Sequence, residues 1–517
     1  MKTQSIKLIC GLLLIALCSC QKSTELSGSK PNIIFILADD MSYYDLSCLG
    51  QKEFSTPNID KLYNNGLFFS EAYSSAPECA PARGTLMEGK HLGHSRIRLN
   101  RSVRMQDHLK DEDITVAEML KTAGYKTGFV GKWGIGLPGT EGTPDKQGFD
   151  YAYGFYDQLR AHGFYPHYMM ENGKQVPVPE NYGFDMDNAY AHTNNKEGLN
   201  VYDENGQLLP KGIKDPYKAK NSQDLIHEKA LTFLKDNHES PMFLYYATQL
   251  PHGPCITPDL GEYKDKPWEM KHKEWAAMMT HLDRHVGELV DLTVELGIDK
   301  NTIFIFSSDN GYAHCGYMGR KHWEDDPLFK NKGPWKAGKF ASFDGGVRIP
   351  MLAYCPGKVQ KGNTSHKVVL YDFLATACDM AGVNPPENDG LSFVPLLQGN
   401  TEQQEEHAYL YWGGGTFTPQ AQAVRMGDWF ATRNTPAEPL QLWNLKYDIS
   451  CEKDVAKENP ALVKEILEIM QNEHRDSEWY TNPGDTKQIL KEKKEKAEKE
   501  GTMQVPVKAN SVYPKIN

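Results

Sequence analysis

The sequence has no Cys-x-x-Cys pair, no internal repeat and no stripe of basic residues. Each absence excludes something. Without paired cysteine ligands there is no case for a structural zinc cluster. A formal net charge of −11, spread over many acidic and basic residues, argues against nucleic acid as the main partner. An anionic substrate would then need cations placed locally by the fold. The apolar run Leu8 to Leu17 falls short of the roughly 20 residues a membrane helix needs. What is present is length: 517 residues exceed one typical core, so a large catalytic domain with a smaller companion is expected.

Lys2 and Lys7 precede that apolar run and small residues follow it, the pattern of an export signal. Leu17-Cys18-Ser19-Cys20 has the form of a bacterial lipobox, with Cys20 as the acylated first residue of the mature chain. Gln21 follows, with no aspartate to suggest inner-membrane retention. The expectation is an exported bacterial protein, periplasmic or held on the outer membrane by a lipid on Cys20. Cys10 and Cys18 would leave with the signal, expected over residues 1–20, and Cys20 would carry the lipid, leaving seven cysteines: Cys48, Cys79, Cys255, Cys315, Cys355, Cys378 and Cys451. The number is odd and the spacings show no framework, so one cysteine is free to be chemically special.

Strand-like apolar runs alternate with helical periodicity, the α/β pattern in which ligands gather at the carboxyl ends of strands. Ile33 to Leu37 is a strand ending in Asp39-Asp40. Thr56-Pro57 opens a helix that Gly66 closes, and Thr115-x-x-Glu118 has capping-box spacing before a helix ending near Gly124. Strand Thr127 to Val130 delivers Lys132, Met242 to Ala247 reads as a buried strand, and Glu274 to Leu296 as a helix. Thr302 to Phe306 is another strand, ending in Ser308-Asp309-Asn310-Gly311. Ile349 to Tyr354 reads as a strand and Val368 to Ala381 as a helix with Cys378 in the core.

These readings give a catalytic domain over residues 30–395, then a polar linker. A small α+β domain follows over 405–485, with strand-like pieces at Ala408 to Trp412, Gln422 to Met426 and Leu440 to Trp443 and a helix at Ala461 to Asn472. The Lys/Glu-rich tail, 486–517, is expected as a solvated helix or a disordered segment.

Asp-Asp and Asp-Asn clusters, each ending a buried strand, supply four oxygen donors suited to calcium or magnesium. The segment Cys79-Ala80-Pro81-Ala82-Arg83-Gly84-Thr85-Leu86-Met87-Glu88-Gly89-Lys90-His91 resembles the signature of the type I sulfatases, in which the cysteine is oxidised to formylglycine. Glu88 departs from the usual residue at a position the chemistry does not depend on. Further landmarks follow in order: Ala38-Asp39-Asp40, Thr56-Pro57-Asn58-Ile59-Asp60, Gly131-Lys132-Trp133, Pro251-His252, Ser308-Asp309-Asn310-Gly311, and Gly338-Lys339 before Phe343-Asp344-Gly345-Gly346-Val347-Arg348.

The resemblance implies an alkaline-phosphatase-like α/β sandwich, with a large mixed sheet between helices, and hydrolysis of sulfate esters. It also implies a calcium ion, magnesium being acceptable to the same ligands. Asp39, Asp40, Asp309 and Asn310 would hold the metal with the modified Cys79. The hydrated aldehyde attacks sulfur, Arg83 orients it, Lys132 and Lys339 bind sulfate, and His252 protonates the leaving oxygen. A formylglycine-generating maturation enzyme is an implied partner. One departure matters: the family's Gly-Lys-Trp-His ends here in Gly134, leaving the base that releases sulfate open among His91, His94 and Lys132.

For the substrate, the stretch Tyr151 to His167, with Gln158, Arg160, His162, Tyr165 and His167, mixes aromatic and hydrogen-bonding groups in the way carbohydrate favours. His314 to Trp335, with Arg320, His322, Trp323 and Glu324, is similar. The expected contacts are His162, Arg160, His314, His322 and Glu324. The expected substrate is a sulfated glycan, with a galactose or N-acetylgalactosamine sulfate as the refinement. A phosphate or phosphonate ester hydrolase of the same superfamily and a non-catalytic glycan-binding protein are the alternatives.

Overall fold

The computed structural model describes residues 26–184, 200–315 and 323–503. The signal and lipobox readings, Arg320 and His322 lie outside them. Ten strands form one sheet: β1 (Asn32–Ala38), β2 (Leu67–Phe69), β3 (Lys126–Lys132), β4 (Tyr151–Phe155), β5 (Tyr168–Glu171), β6 (Lys174–Pro177), β7 (Met242–Ala247), β8 (Thr302–Ser308), β9 (Met351–Tyr354) and β10 (Gly362–Thr364). Their spatial order is β10-β2-β9-β8-β1-β7-β3-β4-β5-β6. The five central strands, β8 to β4 in that order, are mutually parallel. All five therefore aim their carboxyl ends at one edge of the sheet, where α/β folds collect ligands.

Central strands buried on both faces explain the continuous apolar runs. Ile34 and Ile36 pack against α1 (Pro57–Asn65) and against two helices introduced later in the chain, α4 (Ser222–Asn237) and α5 (Met270–Glu295). Ile33, Phe35 and Leu37 face α2 (Cys79–Glu88), α3 (Val116–Thr122) and α6 (Asp372–Ala381). Each such side chain taken from water stabilises the fold by about 1.5–3 kcal/mol. The capping box of α3 is formed as its spacing requires.

The C-terminal part is a four-stranded antiparallel sheet, β11 (Leu410–Trp412), β12 (Gln422–Met426), β13 (Trp429–Arg433) and β14 (Gln441–Asn444). Helix α7 (Pro460–Asn472) covers one face through Ile466 and Met470. The other face packs Trp412, Phe430 and Trp443 against Tyr73, Val347, Val369 and Tyr371, so it shares a core with the larger part.

Several boundaries differ from expectation. Val368–Val369 is a strand paired with Ala72–Tyr73, and the helix begins only at Asp372, whose carboxylate takes the Val369 N–H. The β-branched pair is drawn into a ladder that local periodicity does not reveal. Strand β13 is additional, paired with both its neighbours. The tail is helical over Lys487–Lys499, capped by the Thr486 hydroxyl.

Gly131 sits where β3 meets β7, at φ +119°, and a Cβ there would lie 1.8 Å from the Ala247 carbonyl oxygen. Only glycine allows this approach, which sets the exit of Lys132 from the strand. Gly131→Ala is expected to cost about 3 kcal/mol in urea denaturation or to prevent folding. A variant within about 1 kcal/mol of the parent would show the approach to be dispensable.

Candidate active site

The site is assembled from the ends of those five strands. β1 runs out into Asp39 and Asp40, with Asp40 held in the left-handed region at φ +66°. That conformation is uncommon for a side-chain-bearing residue and marks functional sites. The Asp40 N–H donates to Asp309 Oδ1 at 3.1 Å, and the Asp309 N–H to the Ala38 carbonyl, which ties the ends of β1 and β8 together. β3 contributes Lys132, and the segments after β7 and β4 contribute His252 and His162. Cys79 opens α2, a helix with every residue buried, and Arg83 lies one turn on, on the same face.

Three buried carboxylates meet three buried cations here. Lys132 Nζ lies 2.7 Å from Asp39 Oδ2, and an Arg83 terminal nitrogen lies 2.8 Å from Asp309 Oδ2 and 3.7 Å from Asp39 Oδ1. Lys339 Nζ donates to both oxygens of Asp40, at 2.5 and 2.7 Å. Burial works against the charges of Arg83 and Lys339, but Asp309 and Asp39 for the first, and Asp40 for the second, outweigh it and hold both above their ordinary range. Asn310 Nδ2 donates to Asp40 Oδ1 at 3.0 Å.

Cys79 Sγ sits among these groups, 3.5 Å from Asp39 Oδ1, 3.8 Å from Asn310 Oδ1 and 3.5 Å from Lys339 Nζ. Burial, then the Asp309 charge, pushes its thiol well up, so as a plain cysteine it is a poor nucleophile. His252 Nε2 is 3.3 Å from Asp40 Oδ2 and 3.4 Å from Lys339 Nζ, while its Nδ1 faces the Gly253 carbonyl. The His162 ring stacks flat on His252, with centroids 3.9 Å apart, and its Nε2 is 3.2 Å from Lys132 Nζ. Burial and the neighbouring cations hold both imidazoles well below their usual range.

Cys79, His162, His252 and Lys339 form the floor of a cleft of about 420 Å³, with the carboxylates, Arg83 and Lys132 buried behind them. Asp157, Gln158, Leu159, Arg101 and Phe340 line its sides, and Thr416 and Thr481 from the C-terminal part complete it. Sequence reasoning missed Arg101, Asp157, Thr416 and Thr481, which carry no motif. The loop from 100 is anchored by Glu78: its carboxylate accepts the Asn100 N–H at 3.0 Å and the Thr416 hydroxyl at 2.6 Å.

Of the expected substrate contacts among the described residues, only His162 reaches this floor. Arg160 is buried with its guanidinium 3.6 Å from the Tyr168 ring centroid, a cation–π contact that turns it from the cleft. His314 lies 3.4 Å from the buried Asp326, and Glu324 is exposed outside the cleft and accepts the Tyr312 hydroxyl on its backbone carbonyl. His167 bonds the Phe184 carbonyl and Tyr165 is core. His91 and His94 are occupied by Asp389 and Glu473 and do not line the cleft, whereas Lys132, the third group considered for the base, lies behind its floor, paired with Asp39 and 3.2 Å from His162. At Gly134, φ is +78° and a Cβ would stand 2.5 Å from Gln158 Oε1. Gln158 fills the space a side chain at 134 would enter.

The donor set can be tested against a metal. One atom each of Asp39, Asp40, Cys79 and His252 lies within 4.8 Å of the others, and Asn310 Oδ1 points at the same spot. Oxygen donors dominate, which fits a hard divalent cation such as calcium.

Because Lys132 compensates Asp39 in a fully buried pair, Lys132→Met is expected to lose about 3–5 kcal/mol of unfolding free energy in chemical denaturation. A loss under about 1 kcal/mol would mean that water or another cation neutralises Asp39.

Comparison with known proteins follows the same residues. The sulfatase family profile matches residues 31–383, and that of the N-sulphoglucosamine sulphohydrolase C-terminal region matches 337–473. The chain is 27% identical over 519 residues to an N-acetylgalactosamine-6-O-sulfatase of Bacteroides thetaiotaomicron, covering 90% of this chain and 98% of that protein. It is 30% identical over 385 residues to the N-acetylgalactosamine-6-sulfatase of Homo sapiens, covering 71% and 66%. The crystal structure of Ps i-CgsB, also solved with k-i-k-neocarrahexaose, superposes with a TM-score of 0.68 at 27% identity, over 92% of this chain and 100% of that one. A profile match running from β1 through α6 identifies the chain as a member of the sulfatase family, a sulfuric ester hydrolase on the alkaline-phosphatase-like α/β sandwich.

Proposed function

We propose that this sulfatase removes sulfate from carbohydrate, with galactose- and N-acetylgalactosamine-type sulfates as its substrates, through formylglycine formed from Cys79. The observation that carries the reading is the position of Cys79 Sγ on the cleft floor, between carboxylate and amide oxygens on one side and Lys339 on the other. Sγ marks where the oxygen substituents of the oxidised residue would stand. Relatives named as N-acetylgalactosamine-6-sulfatases and a neighbour solved with k-i-k-neocarrahexaose support the sugar class. A cleft of about 420 Å³ is within the range of small-ligand sites.

Asp39, Asp40, Asp309 and Asn310 would hold calcium, or magnesium, which supplies positive charge against a sulfate oxygen. Formylglycine supplies a hydrated aldehyde as the nucleophile, installed by a separate maturation enzyme. The chain's own groups do the rest. Arg83, fixed by Asp309 and by the Lys132 carbonyl at 2.6 Å, stands one helical turn from residue 79 and orients it. Lys132 and Lys339 meet the sulfate oxygens with preorganised charge, which acts most strongly where water is excluded. His252, its Nδ1 committed to the Gly253 carbonyl, turns Nε2 toward the departing sugar oxygen; bound anionic sulfate would offset the Lys339 and Lys132 charges that keep the ring neutral, so that Nε2 can take from solvent the proton it then passes to that oxygen. His162, neutral and with Nε2 3.2 Å from the Lys132 ammonium, would take up, relayed through Lys132, the proton released as sulfate leaves, while Lys132 itself stays charged. The chain's export, and its lipid on Cys20, belong to the same reading, since polymeric sulfated glycans are met outside the cell.

Protein with formylglycine at residue 79 verified by peptide mass should release sulfate from N-acetylgalactosamine 6-sulfate or a galactose sulfate, measured by ion chromatography. It should also prefer an aryl sulfate over the matched aryl phosphate. Cys79→Ala should lower release by at least about 10³-fold with the fold retained. Phosphate preference, or release that survives Cys79→Ala, would sink the proposal. Lys339→Met should lower kcat/KM by about 10²–10³-fold, read with the same assay.

A further inference from the structure

Away from the cleft, α4 and α5 cross with a concentration of imidazole between them. His281 and His285 lie one turn apart on α5 and so share a face. Asp224, in the first turn of α4, meets them: its Oδ1 is 2.7 Å from His281 Nε2 and 3.6 Å from His285 Nε2. The three ligand atoms lie within 4.8 Å of one another. One turn further along, His227 Nε2 is 2.8 Å from Glu288 Oε2, and the His227 ring lies flat on His285 with centroids 3.8 Å apart. None of these residues lines the active-site cleft.

The inner edge of the cluster is already organised. The Tyr246 hydroxyl lies 3.2 Å from His285 Nδ1 and 3.4 Å from His227 Nδ1, and it accepts from Gln223 Nε2 at 2.7 Å. With their Nδ1 atoms so engaged, both rings turn Nε2 toward the carboxylates, the arrangement outer hydrogen bonds impose on metal-binding histidines.

We propose that Asp224, His281 and His285 form a second metal site, for zinc or a similar transition-metal dication, with His227 and Glu288 adjoining it. Metal–nitrogen bonds of about 2.0–2.1 Å place tetrahedral ligands roughly 3.3 Å apart, between the two separations from Asp224, so binding would draw His285 in and trade the hydrogen bond to His281 for the metal. Imidazole donors select such ions over calcium, so the site is chemically distinct from the oxygen-lined active site. Solvent reaches it through the Asp224 side chain, which is 48% exposed. Arg284, 57% exposed and 3.7 Å from Asp224, is the cation the metal displaces. Occupation would clamp α4 to α5 behind β7.

The test uses full-length protein stripped of transition metals and saturated with calcium. Zinc chloride is titrated calorimetrically, and cobalt(II) is added as a probe read by its visible d–d absorption. One zinc per chain is expected, with a raised thermal midpoint. His281→Ala should weaken binding by more than the about 10–100-fold typical of an outer-ligand change. Asp224→Asn, at a half-exposed side chain, makes the same test without removing a packed ring. Absence of zinc uptake by the calcium-loaded protein, or uptake unchanged in both variants, would overturn the site.

Discussion

Everything in the site depends on matching three buried carboxylates to three buried cations. An unpaired charge at this depth is worth several kcal/mol against folding, and a misplaced partner is little better than none. The sheet supplies the placement. Parallel register sets Ala38 beside Ser308 and Leu37 beside Ala247, so the residues that follow each strand emerge side by side. Lys132 arrives from β3 because Gly131 lets that strand approach Ala247 closely. Arg83 arrives from α2, whose complete burial fixes its axis. The charged cluster is thus a property of the register of β1, β8 and β3, of one helix and of the loop that carries Lys339, and a shift of any of them would leave a charge stranded.

The same matching explains which parts were legible in the sequence. Asp39-Asp40 and Asp309-Asn310 could be read because each ends an apolar run, and a polar pair at that position has few other uses. Lys132 and His252 also follow buried strands, but their expected roles came from the family resemblance and not from that position. Arg160, His314 and Glu324 were not, because their placement depends on where neighbouring side chains point. Arg160 was lost to the face of Tyr168 and His314 to the buried Asp326. The stack of His162 on His252 joins residues ninety apart through ring orientation alone. Strands Val368–Val369 and β13 escaped for a related reason: short strands are defined by their partners, and pairing partners are not local.

Gly134 shows how a local departure can be absorbed. Its left-handed backbone would strain any side chain there, and a Cβ would have to displace the Gln158 amide oxygen, so the cleft wall there is made by Gln158 from after β4. The C-terminal part contributes in a comparable way. Thr416 is held to the start of α2 through Glu78, so the small sheet closes the mouth of a site whose chemistry it does not supply. Leaving-group selectivity can therefore vary with loops from 100 and 416 while the charged floor stays constant.

Cys79 is 1% exposed and closed in by α2, Lys339 and the strand ends. A cleft sized for a sugar leaves little room for a second enzyme to seat its own catalytic groups on a thiol at that depth. On the proposed reading, oxidation of residue 79 would come before the sheet closes over it, in the interval between synthesis and folding. The finished architecture would then set an order of events in the cell: maturation, then folding. A chain that folds too quickly would be sealed with a sulfur where the aldehyde belongs, stable and permanently silent.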